Sequence, residues 1–250
     1  MVSTTEWTGR NPAPHISCFT QAPQLDLWSV DEEITGKVTD RHVNKDASAT
    51  DGVNAIEGVD GLYYVRGFLS LQQQIECVKR VDAAYDKWLN DLRRRVQHYG
   101  WRYDYKARAI TPDMYIGALP DWLDTIAQNL YHDVELPDGG KLFDRPPEQV
   151  IVNEYESGQG IAMHIDHRGF GPTVCTISLL EDWEMDFRLK RSDKLPAMLE
   201  TGSCVFLTDE SRYDWQHGIA PRKREKDGTK RGRRISLTFR TVENRDGVND

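Results

Sequence analysis

The C-terminal half of the chain is a succession of short β-strand patterns separated by turns, and no other feature limits the fold as strongly. Gly158 and Gly160 mark one of these turns. Several short strands at such spacing are typical of a β-sandwich or a jelly roll. We predict strands at 149–155, 161–166, 173–181, 183–190, 203–208, 215–219 and 233–242.

Two helices are predicted before this region. Ser70 occupies an N-cap position with Gln73 three residues later, which is the capping-box spacing, and apolar residues then recur at helical intervals as far as Leu92. This pattern predicts an amphipathic helix of about 25 residues that covers one face of a sheet. A second helix is predicted to begin at Pro120, because proline suits the first turn of a helix. The predicted fold class is therefore mainly β with flanking helices.

These patterns divide the chain into three parts. Residues 1–55 are polar and aperiodic and form a predicted N-terminal extension. Residues 56–148 hold the two helices, and residues 149–243 hold the strands of the expected core. Between the helices, residues 93–105 (RRRVQHYGWRYDY) alternate in a way that predicts a strand or a hairpin.

The overall charge argues against strong non-specific binding to DNA. The 250 residues carry a formal net charge of −8, whereas such binding depends on many cationic contacts to phosphates. Basic runs remain at 93–95, 188–194 and 222–234, and each is either a solvated surface or a local contact for a polyanion. No segment has the length of a membrane span or the apolar core of a signal peptide. We therefore expect a soluble, cytoplasmic monomer without a membrane partner.

A candidate metal site begins at the segment His164-Ile165-Asp166. Residues i and i+2 of a β-strand point to the same face, so the imidazole of His164 and the carboxylate of Asp166 are expected to converge. His217 supplies a second histidine in the segment SRYDWQHGI. Two histidines and one carboxylate form the set that holds non-haem Fe(II) while leaving coordination positions open. The sequence therefore predicts a metal site made of His164, Asp166 and His217.

A strand that carries two arginines follows the last of these ligands. Alternation in RISLTFR places Arg234, Ser236, Thr238 and Arg240 on one face and three large apolar residues on the other. Guanidinium groups bind carboxylates bidentately and keep their charge at any working pH. After a metal triad, such a strand indicates an iron centre with a dicarboxylate co-substrate. A surface strand whose arginines pair with nearby acids is the alternative reading of this strand alone.

These motifs together resemble the AlkB-like Fe(II)/2-oxoglutarate-dependent dioxygenase family. They occur in the order N-x-Y, H-x-D, distal His and R-x-[NS]-x-T-x-R, and the resemblance covers about residues 57–243. The segments VQHYG, YESGQGIAMHID, DESRYDWQHGI and RRISLTFR are most similar to the branch that contains the tRNA wobble-uridine hydroxylase. In animals that enzyme is fused to an RNA-recognition module and a methyltransferase, and neither is visible in this sequence. The matching residues are Asn153, Tyr155, His164, Asp166, His217, Arg234, Ser236, Thr238 and Arg240.

The resemblance implies a double-stranded β-helix, which is a jelly roll, with Fe(2+) and 2-oxoglutarate as cofactors and O2 as co-substrate. It implies that Arg234 binds the distal carboxylate of 2-oxoglutarate, helped by Asn153 and Tyr155. Arg240 is expected near the carboxylate next to the iron, and Ser236 stands where many relatives have asparagine.

Residues that contact the substrate are expected in two places. In the family, the region that corresponds to residues 93–105 forms part of a lid over the substrate, and its aromatic residues either stack on a base or pack in the core. The basic run at 222–234 is close in sequence to the expected site. The candidate substrate contacts are Gln97, Tyr99, Trp101, Arg222, Lys223 and Arg224; His98 and Tyr103 carry the same two interpretations.

Three functions are compatible with these residues. The first is oxidative demethylation or hydroxylation of a modified or alkylated nucleobase in RNA or DNA, with release of succinate and CO2. A hydroxylase of a small molecule or a protein side chain on the same core is the alternative, and the acidic composition favours it. The third is a binding protein that has kept the fold without catalysis, but the complete triad and both arginines argue against it.

Overall fold

Two antiparallel sheets and three α-helices make up residues 51–243, which are the part of the chain that the computed structural model describes. The α-helices are α1 (Leu71–Ala83), α2 (Asp121–His132) and α3 (Asp209–Tyr213), and 3-10 turns lie at Tyr85–Lys87 and Pro112–Met114. The strands are β1 (Asp51–Ala55), β2 (Leu62–Arg66), β3 (Arg95–Tyr99), β4 (Gln149–Tyr155), β5 (Ile161–His164), β6 (Phe170–Leu179), β7 (Trp183–Leu189), β8 (Leu195–Leu199), β9 (Cys204–Leu207), β10 (Trp215–Ile219) and β11 (Arg234–Val242).

The two sheets differ in size. The large sheet has seven strands in the order β1-β2-β9-β6-β11-β4-β3, and the small sheet has four in the order β5-β10-β7-β8. Consecutive strands pass from one sheet to the other, for example at the turn between β4 and β5 that contains Gly160. A Cβ atom at Gly160 would lie 2.2 Å from the carbonyl oxygen of Ile219, so only glycine permits this approach. The mainly β class and the jelly-roll core predicted from the sequence are confirmed.

The two faces of the large sheet pack against different partners. On the outer face, Ile235, Leu237 and Phe239 of β11 join the apolar residues of α1 and α2 in the main core. On the inner face, Tyr155 and Val174 pack in a second core with residues of the small sheet. The alternation predicted for β11 therefore holds, and its polar side chains point into the space between the sheets.

Helix α1 begins as predicted but is shorter than expected. Ser70 and Gln73 form the capping box, with each side chain hydrogen-bonded to the other residue's backbone N–H. The helix ends at Ala83 rather than near Leu92, because Leu89 pairs in a β-bridge with Val96 instead of continuing the helix. Helix α2 begins at Asp121, directly after Pro120, as the sequence predicted.

Most predicted strands are present, and the differences are local. Strand β5 ends at His164, so Asp166 lies beyond it rather than on it. Strand β8 was not predicted, because it is a largely exposed edge strand that contains Pro196, and such strands lack a strong alternation. Strand β1 occupies residues 51–55, the last residues of the predicted N-terminal extension, and the rest of that extension lies outside the described residues.

Residues 51–243 contain no helix with the length and apolar character required to cross a membrane.

Candidate active site

Three predicted metal ligands converge on the small sheet. His164 is the last residue of β5, and it lies directly opposite His217 of β10 in the antiparallel register, with ring centroids 4.4 Å apart. Asp166 follows two residues after His164, and its Oδ2 is 3.7 Å from Nε2 of His217. One ligand atom from each residue lies within 4.8 Å of the other two. The three residues can therefore bind a single metal ion.

The hydrogen bonds around the triad leave one atom of His164 and one atom of Asp166 available for a metal. Nδ1 of His164 lies 2.9 Å from the carbonyl oxygen of Ala162, and a donated proton at this position leaves Nε2 with its lone pair free. Oδ1 of Asp166 accepts a hydrogen bond of 2.8 Å from Arg240, whereas Oδ2 is buried without a hydrogen-bond partner among the described residues. These two atoms, together with the imidazole of His217, fit the ligand set of Fe(II).

The electrostatic environment holds the ligands in their metal-binding protonation states. Burial, together with the neighbouring His164, lowers the pKa of His217 to about 3, so the imidazole is neutral at physiological pH. Burial alone would raise the pKa of the Asp166 carboxyl, but the charge of Arg240 and the adjacent histidines outweigh it and hold this pKa well below its usual range. A neutral imidazole and an ionised carboxylate are the forms that coordinate a metal.

Arg234 is a fully buried cation without a carboxylate partner among the described residues. Its Nη2 donates a hydrogen bond of 2.8 Å to Oγ of Ser178, while Nε and Nη1 have no hydrogen-bond partner in the part of the chain that the structure describes. The guanidinium carbon lies 5.6 Å from the centre of the Tyr155 ring. Burial lowers the pKa of Arg234 to about 10, so the group stays charged at neutral pH. Two unpaired donors on a buried guanidinium fit the distal carboxylate of 2-oxoglutarate.

The other predicted co-substrate residues lie on the same inner face of the large sheet. Tyr155 pairs in register with Arg234, and Asn153 pairs with Ser236, so the four residues form two cross-strand pairs. Oδ1 of Asn153 accepts a hydrogen bond of 2.8 Å from Nε of Arg94, a contact that the sequence did not reveal.

Arg240 contacts a metal ligand directly. Its Nη2 donates to Asp166, and its Nη1 donates to Oε1 of Gln149 at 3.2 Å, while Nε has no hydrogen-bond partner within residues 51–243. One edge of this guanidinium is thus used to orient the triad carboxylate. Its predicted contact with the iron-proximal carboxylate of 2-oxoglutarate stays a prediction, for which Nε is the donor still available.

Gln97 and Tyr99 lie on the wrong face of the sheet to contact a substrate. Both are buried, and Nε2 of Gln97 donates hydrogen bonds of 3.0 Å to the carbonyls of Val81 and Ala84 at the end of α1. Tyr99 donates to Gln97 and packs edge-on against Trp122. Alternation along β3 directs both side chains towards the helices. The structure therefore corrects the prediction for these two residues.

The opposite face of β3 and the segment after it carry an aromatic group beside the triad. His98 lies 5.7 Å from the ring of Tyr105, which contacts Tyr103 edge-on at 5.1 Å. Tyr103 in turn lies 5.9 Å from His167, the residue after Asp166. We call His98, Tyr103 and Tyr105 the aromatic wall.

Trp101 supports this wall from behind. It is 1% exposed and packs against Tyr115, with which it also forms a β-bridge, in a small apolar cluster that includes Phe170. A side chain with so little exposure cannot stack on a base in this conformation. Its predicted substrate contact is therefore corrected to a packing role.

The predicted basic contacts in the loop between β10 and β11 differ from one another. Arg222 is half-buried and forms ion pairs with Glu184 at 3.1 Å and Glu225 at 3.5 Å. Lys223 and Arg224 are exposed, although Arg224 donates a hydrogen bond to a carbonyl of its own loop. The positive charge of Arg222 is therefore neutralised within the protein, and only Lys223 and Arg224 present theirs to solvent.

Comparisons with known proteins agree with this geometry. The sequence profile of the 2OG-Fe(II) oxygenase superfamily matches residues 61–240. The solved structure titled "The structure of OsALKBH1" superposes with a TM-score of 0.60 at 18% identity, covering 76% of this chain and 99% of that chain, and so supports the fold.

Two curated relatives are AlkB homologues. The Macaca fascicularis protein named tRNA (carboxymethyluridine(34)-5-O)-methyltransferase ALKBH8 is 31% identical over 208 residues, which cover 73% of this chain and 30% of the macaque protein. The Arabidopsis thaliana protein named Alkylated DNA repair protein ALKBH8 homolog is 30% identical over 209 residues, covering 74% of this chain and 59% of the plant protein. The chain spans less than two thirds of either relative. With the profile match over most of its length, it belongs to the 2OG-Fe(II) oxygenase superfamily.

Proposed function

We propose that this 2-oxoglutarate-dependent dioxygenase oxidises a modified or alkylated nucleobase in RNA or DNA, by demethylation or hydroxylation, and releases succinate and CO2. The aromatic wall beside the triad carries the proposal. Tyr103 and Tyr105, the two half-buried rings of the wall, are planar groups of the kind on which an unstacked base packs, and the buried His98 contacts Tyr105.

The charges around the wall suit a nucleotide. Arg94 places its guanidinium 5.7 Å from the centre of the Tyr105 ring and forms no ion pair with a carboxylate among residues 51–243. Arg102 and Arg108 are also close enough to affect the pKa values of His98 and Tyr103. A cluster of arginines beside aromatic rings can bind a base and its adjacent phosphates, even in a protein whose net charge is −8.

The proposed roles of the residues follow from their positions. His164, Asp166 and His217 hold Fe(II), Arg240 fixes the orientation of the Asp166 carboxylate, and the metal with 2-oxoglutarate and O2 supplies oxidising power that side chains lack.

We assign the binding of 2-oxoglutarate to the inner face of the large sheet. Arg234 binds its distal carboxylate through the unpaired Nε and Nη1, and Tyr155, Asn153 and Ser236 line the same face beside it. The two sheets enclose this space and exclude water from it, which strengthens each charged hydrogen bond.

The names of the relatives leave the nucleic acid open. One name refers to tRNA and the other to DNA repair, and both proteins are longer than the matched region. We therefore propose a nucleic-acid substrate without choosing between the two.

We also retain the expectation of an intracellular monomer. Three buried free cysteines among the described residues accord with a reducing compartment, and light scattering during size-exclusion chromatography tests the monomer.

Succinate release tests the proposal. The purified protein is supplied with Fe(II) and 2-oxoglutarate and offered methylated DNA oligonucleotides, methylated RNA oligonucleotides or total tRNA. We expect at least one pool to raise succinate release above the substrate-free rate. If no pool does so while the protein binds Fe(II) and 2-oxoglutarate, the nucleic-acid assignment is wrong.

A pair of tyrosine variants tests the aromatic wall separately. Tyr105→Ala removes a stacking surface, so the KM for the active nucleic acid should rise about tenfold or more, because stacking contributes roughly 1–3 kcal/mol per base. Tyr85→Ala is the matched control, since Tyr85 is 80% exposed and lies after α1, on the helical side of the sheet. The KM for 2-oxoglutarate should be unchanged in both variants. Equal KM values for nucleic acid in the two variants would contradict the stacking role.

One observation favours the alternative, a hydroxylase of a small molecule or a protein side chain. Because Arg222 is already paired with Glu184 and Glu225, only two of the three predicted basic contacts, Lys223 and Arg224, present their charge to a polyanion. The double variant Lys223→Ala/Arg224→Ala should reduce the salt dependence of nucleic-acid binding by roughly one unit of slope per lost phosphate contact. An unchanged slope, together with turnover of a metabolite or peptide, would favour the alternative.

A further inference from the structure

Arg212 is a second fully buried arginine near the metal ligands, and all of its partners belong to one short segment. It lies on α3, is 1% exposed, and makes four hydrogen bonds to backbone carbonyls. Nε donates to the carbonyl of Gly171 at 3.1 Å, Nη1 to that of Asp166 at 3.0 Å, and Nη2 to those of His167 at 2.8 Å and Phe170 at 3.0 Å. We call residues 165–171 the Asp166 loop.

The contacts of Arg212 are unusual for a buried cation. It forms no ion pair within residues 51–243, and its guanidinium carbon lies 4.8 Å from the centre of the Tyr213 ring. Taking a guanidinium out of water is costly unless its donors are satisfied, and here backbone carbonyls rather than a carboxylate satisfy them. Such an arrangement fixes the path of the loop more than it contributes to charge pairing.

Most of the Asp166 loop lies outside the sheets, and only its last two residues, Phe170 and Gly171, belong to β6. Strand β5 ends at His164, and β6 begins at Phe170, so Asp166 lies between strands without ladder hydrogen bonds. Two different arginines hold this residue: Arg212 binds its backbone carbonyl and Arg240 binds its carboxylate. The second contact can orient the carboxylate only if the first keeps the backbone in place.

Arg212 also links the Asp166 loop to the strand of another ligand. Helix α3 runs directly into β10, whose third residue is His217, and the helix is anchored by the capping box of Thr208 and Ser211. A single side chain therefore connects the chain segments that carry Asp166 and His217. The register between β5 and β10 already fixes His164 against His217.

We propose that Arg212 is a positioning residue of the metal site, which holds the Asp166 loop so that the Asp166 carboxylate meets the two imidazoles. The role concerns the metal centre and does not depend on which substrate is oxidised. Residues that orient metal ligands typically contribute 10–100-fold to metal affinity.

Metal affinity of the substrate-free protein is the decisive measurement. Arg212→Lys keeps the charge but cannot reach four carbonyls, and Arg212→Met removes the charge as well. We expect both variants to bind Co(II), followed by its visible absorption, about 10–100-fold more weakly than the wild type. Arg168→Met is the matched control, because Arg168 belongs to the same loop and lies over the same Tyr213 ring but is exposed, and its affinity should equal that of the wild type.

A second measurement separates positioning from a general loss of stability. Hydrogen exchange of the metal-free Arg212→Lys protein should be faster in residues 165–171 and unchanged in β4 and β11. Wild-type Co(II) affinity in a folded Arg212→Lys protein overturns the proposal. So does uniform acceleration of exchange throughout the protein, or failure of both variants to fold, since either result makes Arg212 a determinant of the whole fold.

Discussion

Replacing Arg234 by methionine should abolish the response to 2-oxoglutarate while leaving the protein itself at least as stable. The protein buries a guanidinium whose Nε and Nη1 have no hydrogen-bond partner among residues 51–243. A pKa lowered from 12.5 to about 10 corresponds to a penalty on the order of 3 kcal/mol for burying the charge, at about 1.4 kcal/mol per pH unit.

Two favourable contacts offset part of this penalty. The hydrogen bond to Ser178 contributes about 1 kcal/mol and the contact with the Tyr155 ring about 1 kcal/mol. The net effect of Arg234→Met is then a gain of about 1 kcal/mol, which corresponds to a melting temperature higher by about 2–4 °C. Methionine is a suitable replacement because its flexible chain fills the space without a buried charge.

Binding of 2-oxoglutarate should show the opposite dependence. Two charge-assisted hydrogen bonds to its distal carboxylate contribute about 3 kcal/mol or more, so their loss raises the KM for 2-oxoglutarate at least about 100-fold. Arg234→Lys should also raise this KM substantially, since an ammonium is a point charge without the planar fork.

Thermal unfolding with and without 2-oxoglutarate provides the assay. The wild type should melt at a higher temperature when the co-substrate is added, because a ligand that binds only the folded state stabilises it. Arg234→Met should show no such shift, and Ser178→Ala is a control that removes one hydrogen bond but keeps the cation. If Arg234→Met melts several degrees below the wild type and retains the shift, Arg234 is a structural residue and the reasoning fails.

Three further outcomes are expected. His164→Ala, Asp166→Ala and His217→Ala should each abolish iron-dependent succinate release with little change in the circular dichroism spectrum; normal release in any one would remove that residue from the metal site. Gln97→Leu should lower the free energy of unfolding in urea by about 2 kcal/mol, because two hydrogen bonds to the end of α1 are lost, and should leave the KM for substrate unchanged. Burial lowers the pKa of His98 from 6.5 to about 4. On acidification this histidine therefore binds a proton at a higher pH in the unfolded protein than in the folded one, so the free energy of unfolding decreases as the pH falls from 6.5 to 4. His98→Leu should reduce this loss in acid-unfolding curves by up to about 3 kcal/mol, and curves that run parallel would contradict the assignment.

Spacing along the chain was sufficient to predict the metal triad, whereas the residues assigned to 2-oxoglutarate stay a prediction. The segment His164-Ile165-Asp166 and the RISLTFR strand are local patterns. Period-two alternation correctly assigns the side chains of RISLTFR to the two faces of β11. Asp166 shows the limit of that rule, since β5 ends before it, and its carbonyl and carboxylate contact Arg212 and Arg240 instead of a strand partner.

The substrate side could not be predicted equally well, because alternation gives two faces without saying which one is buried by helices. Gln97 and Tyr99 were predicted as substrate contacts, and His98 was given two interpretations. The helices cover the face of β3 that carries Gln97 and Tyr99. Arg94 could have been found by continuing the His98 alternation back into the arginine run. Arg222 pairs with Glu184, and Arg212 donates to the carbonyl of Asp166, so both contacts join residues that are distant in the sequence. A single sequence does not reveal such contacts.

The ligands of the metal and the residues expected to bind 2-oxoglutarate belong to different sheets. His164 and His217 lie on the small sheet, whereas Tyr155 and Arg234 lie on the large one. The apolar layer between the sheets therefore acts as a spacer that sets the distance between the metal site and the residues expected to bind 2-oxoglutarate. Phe187, which pairs with His217 and packs in this layer, is one such spacer residue. A change in the volume of Phe187 should therefore alter how tightly the consumption of 2-oxoglutarate is linked to oxidation of the substrate.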